Sequence, residues 1–236
     1  MGSDDLFKKK RLAKKSKELS RKVPNKQPLK KMLIVCEGSK TEPNYFEELR
    51  DHYQLNTASV IDVTGDCGSS PLSVFRYAKA IQIRETQKGS PYDMVFCVID
   101  KDAHADYDAA LEAIRRSNPP KQWVAINSVP CFEYWLLLHH TYTTKAFEAT
   151  PGDSSGNKVL TELKKHFNGY NKGAKGTFLA SLKALPEPDL NIVIKKAEMC
   201  IKHSEETQTD NPTTYVHILV KELLDLKKQI ELNKSL

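Results

Sequence analysis

Five carboxylates in this sequence stand where they could do chemistry. Glu37 follows the apolar run Met32-Leu-Ile-Val-Cys36, and Asp100-Lys-Asp102 follows a second strand-like run, Tyr92–Ile99. On an extended chain, acids two positions apart point the same way. His104 continues the spacing, if the chain has not turned by then. If the two runs are neighbouring strands, Glu37, Asp100 and Asp102 converge. Like charges gathered in one place repel and raise their pKa values. A divalent cation relieves that repulsion. An all-oxygen donor set favours Mg2+ or Mn2+ over Zn2+, and Mg2+, which keeps several waters, suits phosphoryl chemistry. The plain alternative stays open, because acids are common in loops and a DxD is a weak signal alone.

Two further acids carry the same double reading. Glu42 either sits at the start of a helix that Thr41 caps, or faces Glu37 across the loop. Glu133 lies in Val-Pro-Cys-Phe-Glu-Tyr-Trp-Leu-Leu-Leu138, in the first turn of an apolar helix. There it either complements the helix dipole, or serves as a second-metal ligand or an orienter of an attacking water. His140 lies seven residues on, two turns away on the same face. The small-residue loop Gly65–Ser70 either cradles a phosphate at a helix N-terminus or is a turn with a cap.

The elements that would position these groups alternate. Strands are expected at 32–36, 58–63, 92–99 and 123–128, and helices at 41–53, 71–86, 106–116 and 131–140. Pro43 and Pro71 suit first turns, and Ser70 suits a cap. The third strand is apolar on both faces, as at the centre of a covered sheet. The order β-α-β-α-β-α-β-α implies parallel units in a doubly wound sheet, whose sites lie at the carboxyl ends of the strands. Residues 141–236 read as helices only, at 158–167, 189–206 and 213–232, around a Gly/Lys-rich stretch, Asn168–Gly176. The expected organisation is a basic arm over 1–30, an α/β core over 31–140 and a helical extension over 141–236.

Charge divides the chain in the same way. Of 36 Lys/Arg and 30 Asp/Glu, the first 31 residues hold 12 and 3, a net of +9; the remaining 24 and 27 give −3. The arm, with Lys8, Lys9, Lys10 and Arg11, has few large apolar residues to bury. It is either a solubilising tail or a handle for a phosphate backbone. No apolar run approaches the roughly 18 residues that span a bilayer, and no secretory signal opens the chain. Five cysteines, none in a CxxC pair, argue against a disulfide framework and a Cys-rich zinc site and for a reducing cytoplasm; Cys36 and Cys97 read as core residues. GxxxxGK[ST], GxGxxG and GxSxG are all missing, which weighs against P-loop hydrolysis, a dinucleotide cofactor and an α/β-hydrolase.

Taken together, Cys-Glu-Gly-Ser-Lys-Thr-Glu-Pro-Asn-Tyr-Phe46, Val-Ile-Asp-Lys-Asp-Ala-His104, Ser-Val-Pro-Cys-Phe-Glu-Tyr-Trp-Leu-Leu-Leu-His139 and Asn-Pro-Thr-Thr-Tyr-Val-His217 resemble the RloB-like family. RloB-like proteins are similar in turn to TOPRIM domains, notably those of OLD-family nucleases. The resemblance implies a TOPRIM-like (Rossmann-like) parallel sheet flanked by helices, with a C-terminal helical extension. It also implies prokaryotic origin and a role in defence. Glu37 matches the TOPRIM glutamate, a metal ligand or general acid/base; Asp100 and Asp102 match the metal-binding DxD. Glu42 matches the second acid of the OLD-like segment, Glu133 stands where a further acid is expected, and Lys172 is a counterpart of an assisting lysine. Val129 departs from the family's Asn.

The expected activity is therefore a Mg2+- or Mn2+-dependent nuclease, an endonuclease acting on RNA, tRNA included, ahead of DNA. Glu37, Asp100 and Asp102 would hold metal, with Glu42 and Glu133 assisting and His104 and His140 as further candidates. The arm, Lys172 and Lys175 would grip nucleic acid. The alternative is a catalytically silent nucleotide- or nucleic-acid-binding subunit of a defence complex. A homodimer or a partner within that complex is expected, and no membrane.

Overall fold

Met32–Cys36 has no polar face to offer, so it must be covered on both sides. All five of its residues are buried, and they form the strand β1 near the middle of the sheet. The computed structural model describes residues 28–57, 61–68, 70–102 and 104–235. The other strands are β2 (Ile61–Thr64), β3 (Met94–Asp100), β4 (Trp123–Val129) and β5 (Thr213–Thr214), in the order β2-β1-β3-β4-β5. The first four are mutually parallel; β5 pairs antiparallel with β4. The expected α/β sheet is present, with β1 and β3 adjacent.

Alternation along the strands serves two cores. Met32, Ile34, Cys36, Phe96, Val98 and Ile126 face one layer; Leu33, Val35, Val95, Cys97 and Ile99 face the other. The second layer is covered by α2 (Pro71–Gln87) and α3 (Tyr107–Arg115). The first is covered by α1 (Thr41–His52) and α4 (Glu133–His140), then by α5 (Ser155–His166), α6 (Thr177–Lys183), α7 (Leu190–Thr207) and α8 (Val216–Ser235). The helices after His140 thus share one continuous core with the sheet.

Two expectations are corrected. The sequence predicts helices alone after His140, whereas β5 extends the sheet, pairing Thr213 and Thr214 with Val129 and Ser128; two residues are too short to show a period. The second strand, expected from residue 58, runs over Ile61–Thr64 where it is described; residues 58–60 lie outside the described residues. Thr41 is the first helical residue and not the cap of α1; its hydroxyl accepts instead from the Gly173 N–H at 3.0 Å. Ser70 does cap α2, with Pro71 at the first position. Among the described residues no helix is long and apolar enough to cross a membrane.

Candidate functional site

Parallel register places the residues that follow β1 and β3 at one edge of the sheet. There Glu37, Glu42, Asp100, Asp102 and His104 line a cleft of about 400 Å3, with Lys40, Lys172 and Gly173 across from them. Two glycines let the walls approach. A Cβ on Gly38 would stand 2.1 Å from a Glu42 carboxylate oxygen, and one on Gly65 would stand 2.2 Å from the Gly38 carbonyl. The Cys67 thiol donates to the Cys36 carbonyl at 3.0 Å and ties the same loops together.

Glu37 is held from both sides. One oxygen accepts the Asp100 N–H at 3.0 Å, and the other lies 2.9 Å from His104 Nε2. Burial raises its pKa; the Asp100 N–H and His104 oppose that, and Asp106 and Asp102 add to it. Asp100 ends β3, where burial, Glu42 and Glu133 push its carboxyl well above the usual range. Glu42 is 6 % exposed, and burial first, with Glu133 and Glu37 adding, pushes it up to about 7.

Asp102 reaches the cleft by a route that strand alternation does not supply. The chain turns at Asp102, with φ 24°, and its N–H donates to the Pro130 carbonyl at 3.1 Å. The Lys101 N–H donates to Ser128, and its ammonium pairs outward with Asp210. The two aspartates therefore share the cleft through a turn pinned to the end of β4.

Glu133 lies behind the cleft, 3 % exposed. Its carboxylate is 3.2 Å from Lys172 Nζ and accepts from the Tyr170 hydroxyl at 3.4 Å. Partial burial works against the Lys172 charge, but Glu133 outweighs it and raises the lysine's pKa. Lys175 is exposed on the same loop and does not line the cleft. His140 is corrected as a site residue. It stacks on Phe167 at 4.9 Å, burial lowers its pKa, and its Nε2 is buried without a partner. Two helical turns carry it away from the carboxylates. Lys8, Lys9, Lys10 and Arg11 lie outside the described residues. The described chain enters β1 at Met32, the end of the strand opposite Glu37.

Of the loop Gly65–Ser70, Ser69 lies outside the described residues and Ser70 caps α2. The α2 N-terminus is occupied by Ser70, Ser73 and the Asp106 carboxylate, which accepts from the Ser70 hydroxyl at 2.9 Å and the Leu72 N–H at 3.3 Å. Asp106 and Tyr170 are the groups that sequence reasoning missed. Asp106 stands two residues beyond His104, a signal that a helix start conceals. A larger cleft of about 590 Å3 over α5 mixes Lys145, Lys158 and Lys165 with Glu148, Asp153 and Glu162, and gathers no such set of carboxylates.

A hard divalent cation fits the chemistry of this donor set: several buried carboxylates, all oxygen donors, with raised pKa values that a cation would reverse. Their spacing is looser. Among the described residues, no three acid, imidazole or thiol groups stand together as a formed metal site. Glu37 spends its oxygens on Asp100 and His104 instead.

Fold and cleft together define a class: an α/β protein with a carboxylate-lined cleft at the carboxyl edge of a parallel sheet. The chain belongs to the RloB-like protein family, whose model matches residues 32–223, from the first residue of β1 into α8. No curated protein and no solved structure matches it.

Proposed function

We propose that this protein is a Mg2+- or Mn2+-dependent nuclease of the TOPRIM type, an endonuclease cutting RNA, tRNA included, ahead of DNA, in cytoplasmic prokaryotic defence. One observation carries the reading: Glu37, Glu42, Asp100 and Asp102 converge at the carboxyl edge of β1 and β3, with Glu37, Glu42 and Asp100 held above the ordinary carboxylate range. Burying charges that repel one another is unfavourable, and a cation-dependent reaction is the use that such an arrangement best serves. Glu37, Asp100 and Asp102 would hold the metal, beside Glu42. The ion would polarise the scissile phosphate and lower the pKa of an attacking water.

The chain's own groups do the rest. Glu42 stands at the cleft wall beside Glu37, Asp100 and Asp102 and adds to the charge that a cation would answer. His104 hydrogen bonds to Glu37 and orients it. Lys172 balances the buried Glu133 and presents its exposed side to a phosphate. Lys175 and the segment with Lys8, Lys9, Lys10 and Arg11 would engage the backbone outside the cleft.

The loose spacing of the carboxylates favours a second reading: a nucleic-acid-binding subunit that cuts nothing without a partner in a defence complex. The test is incubation with plasmid, single-stranded DNA, total RNA and tRNA in Mg2+, Mn2+ or EDTA, with an Asp100→Ala/Asp102→Ala variant alongside. Cleavage that needs both metal and aspartates is expected. Cleavage retained by the variant or in EDTA refutes the metal reading, and metal binding without cleavage leaves the second.

A further inference from the structure

Lys172 stands on a stretch without regular structure, Asn168–Gly176, and reaches Glu133 from outside the sheet. A loop of this composition does not hold a long side chain in place by itself. Its backbone is fastened elsewhere, to three side chains of α1. Thr41 Oγ1 accepts the Gly173 N–H at 3.0 Å, and Asn44 Nδ2 donates to the Gly173 carbonyl at 3.0 Å. The Glu48 carboxylate takes two amides, Gly176 N–H at one oxygen and Phe178 N–H, at 3.0 Å, at the other. Spacings of three and four place Thr41, Asn44 and Glu48 on one stripe of the helix. That stripe begins beside Glu42 in the cleft and ends at the start of α6.

We propose that Asn44 and Glu48 are positioning residues for Lys172: they fasten the Asn168–Gly176 loop to α1 and thereby hold the lysine against Glu133. Neither side chain lines the cleft. Gly173 is the fulcrum. Both of its backbone groups are taken by α1, its φ is +79°, and a Cβ there would stand 3.0 Å from Lys40. Beyond the loop, Phe178 packs edge-on against Tyr45 at 5.3 Å and His52 at 5.7 Å. The far end of the loop is therefore anchored by apolar contact, and Glu48 sets where the loop leaves it. A carboxylate receiving two amides is a stronger fastening than a neutral acceptor. The residue that balances the buried acid is thus placed by the same helix that carries Glu42.

The inference rests on the cleft reading only for its consequence in catalysis. Its geometric part is tested on full-length, metal-free protein. The stability coupling between Lys172 and Glu133 is measured by a double-mutant cycle (Lys172→Met, Glu133→Gln), first in the wild-type background and then with Asn44→Ala or Glu48→Gln present. The coupling is expected to be present in the first and lost in the others. Faster amide exchange at Gly173, Gly176 and Phe178, with Val98 unchanged, is expected alongside. Coupling that survives both background substitutions overturns the proposal. In the nuclease assay, Asn44→Ala and Glu48→Gln are expected to lower kcat severalfold, and to have no further effect once Lys172 is Met. A full additional loss in the Lys172→Met background also overturns it, since a residue that acts through Lys172 has nothing left to position. A wild-type protein that cuts nothing would refute the nuclease reading and leave the stability cycle to decide the inference alone.

Discussion

Replacing Glu42 with Gln should stabilise the metal-free protein at pH 8. Glu42 is 6 % exposed, and burial among other carboxylates moves its pKa from an ordinary 4.5 to about 7. A carboxyl with a raised folded-state pKa binds its proton more tightly folded than unfolded. Stability from that difference is fully present below pH 4.5 and is lost as the pH rises through about 7. At about 1.4 kcal/mol per pH unit, the interval corresponds to roughly 2 to 3 kcal/mol once Asp100, whose carboxyl is also held up, shares the relief. Gln has the shape of Glu without the charge, so the variant escapes this penalty. For a chain of this size, the gain corresponds to roughly 5 to 10 °C in Tm. The assay is thermal unfolding followed by circular dichroism in EDTA, from pH 5 to 8.5. The gain should be about a quarter of its full size at pH 5 and nearly full at pH 8. Saturating Mg2+ should raise the wild-type Tm more than the variant's and close the gap. A variant no more stable than wild type at pH 8, or one that gains equally at pH 5, would show that Glu42 carries no buried-charge penalty.

Other expectations separate parts of the same structure. Gly65→Ala drives a Cβ into the Gly38 backbone and should lower stability by about 1 to 3 kcal/mol in urea unfolding. Gly38→Ala meets only the tip of Glu42, so it should leave Tm near wild type while reducing the stabilisation by Mg2+. His139 is buried between Tyr45, at 3.3 Å, and the Trp135 carbonyl, at 3.0 Å, and burial pushes its pKa down to about 3. The unfolded chain takes that proton first, so stability is full above pH 6.5 and falls below it until about pH 3. Between pH 6.5 and 5 the wild type should lose roughly 2 kcal/mol more than His139→Asn does in urea unfolding; equal losses would place the acid sensitivity elsewhere. Lys172→Met leaves the buried Glu133 without its cation and should lower stability by about 1 kcal/mol, the lysine being largely exposed. Adding Glu133→Gln should restore most of that loss, and a double variant less stable than Lys172→Met would contradict the pairing.

What the sequence showed of this site, and what it hid, follows from the range of each signal. Glu37 and Asp100 were legible because apolar runs reveal strands, and parallel strands bring their carboxyl ends to one edge. Register between β1 and β3 does the remaining work, pairing Cys36 with Val98 and leaving Glu37 to accept the Asp100 N–H. Asp102 came to the cleft for a different reason from the one its spacing suggests. Alternation ends with β3, and the turn is fixed by contacts to Ser128 and Pro130, which periodicity cannot report. His140 failed by the same measure. Sharing a helix face with Glu133 says nothing about whether both ends of the helix reach the same cleft, and Phe167 receives the far end.

The Lys172 contact marks the limit most clearly. Glu133 read as a helix-terminus charge or a ligand, and the structure makes it a buried acid countered by a lysine from a loop more than thirty residues later. That contact depends on α1 accepting and donating at Gly173, so three segments must fold before the charge is balanced. No local pattern encodes such a meeting. The acids that repel one another stand within residues 37–133, and the cation that answers one of them comes from the loop between α5 and α6. If that balance is what the later helices supply to the cleft, loosening the loop should free Glu133 without disturbing β1 or β3. Losing the Lys172–Glu133 coupling while the Val98 amide stays protected would show it; losing both together would mean that loop and sheet fold as one unit.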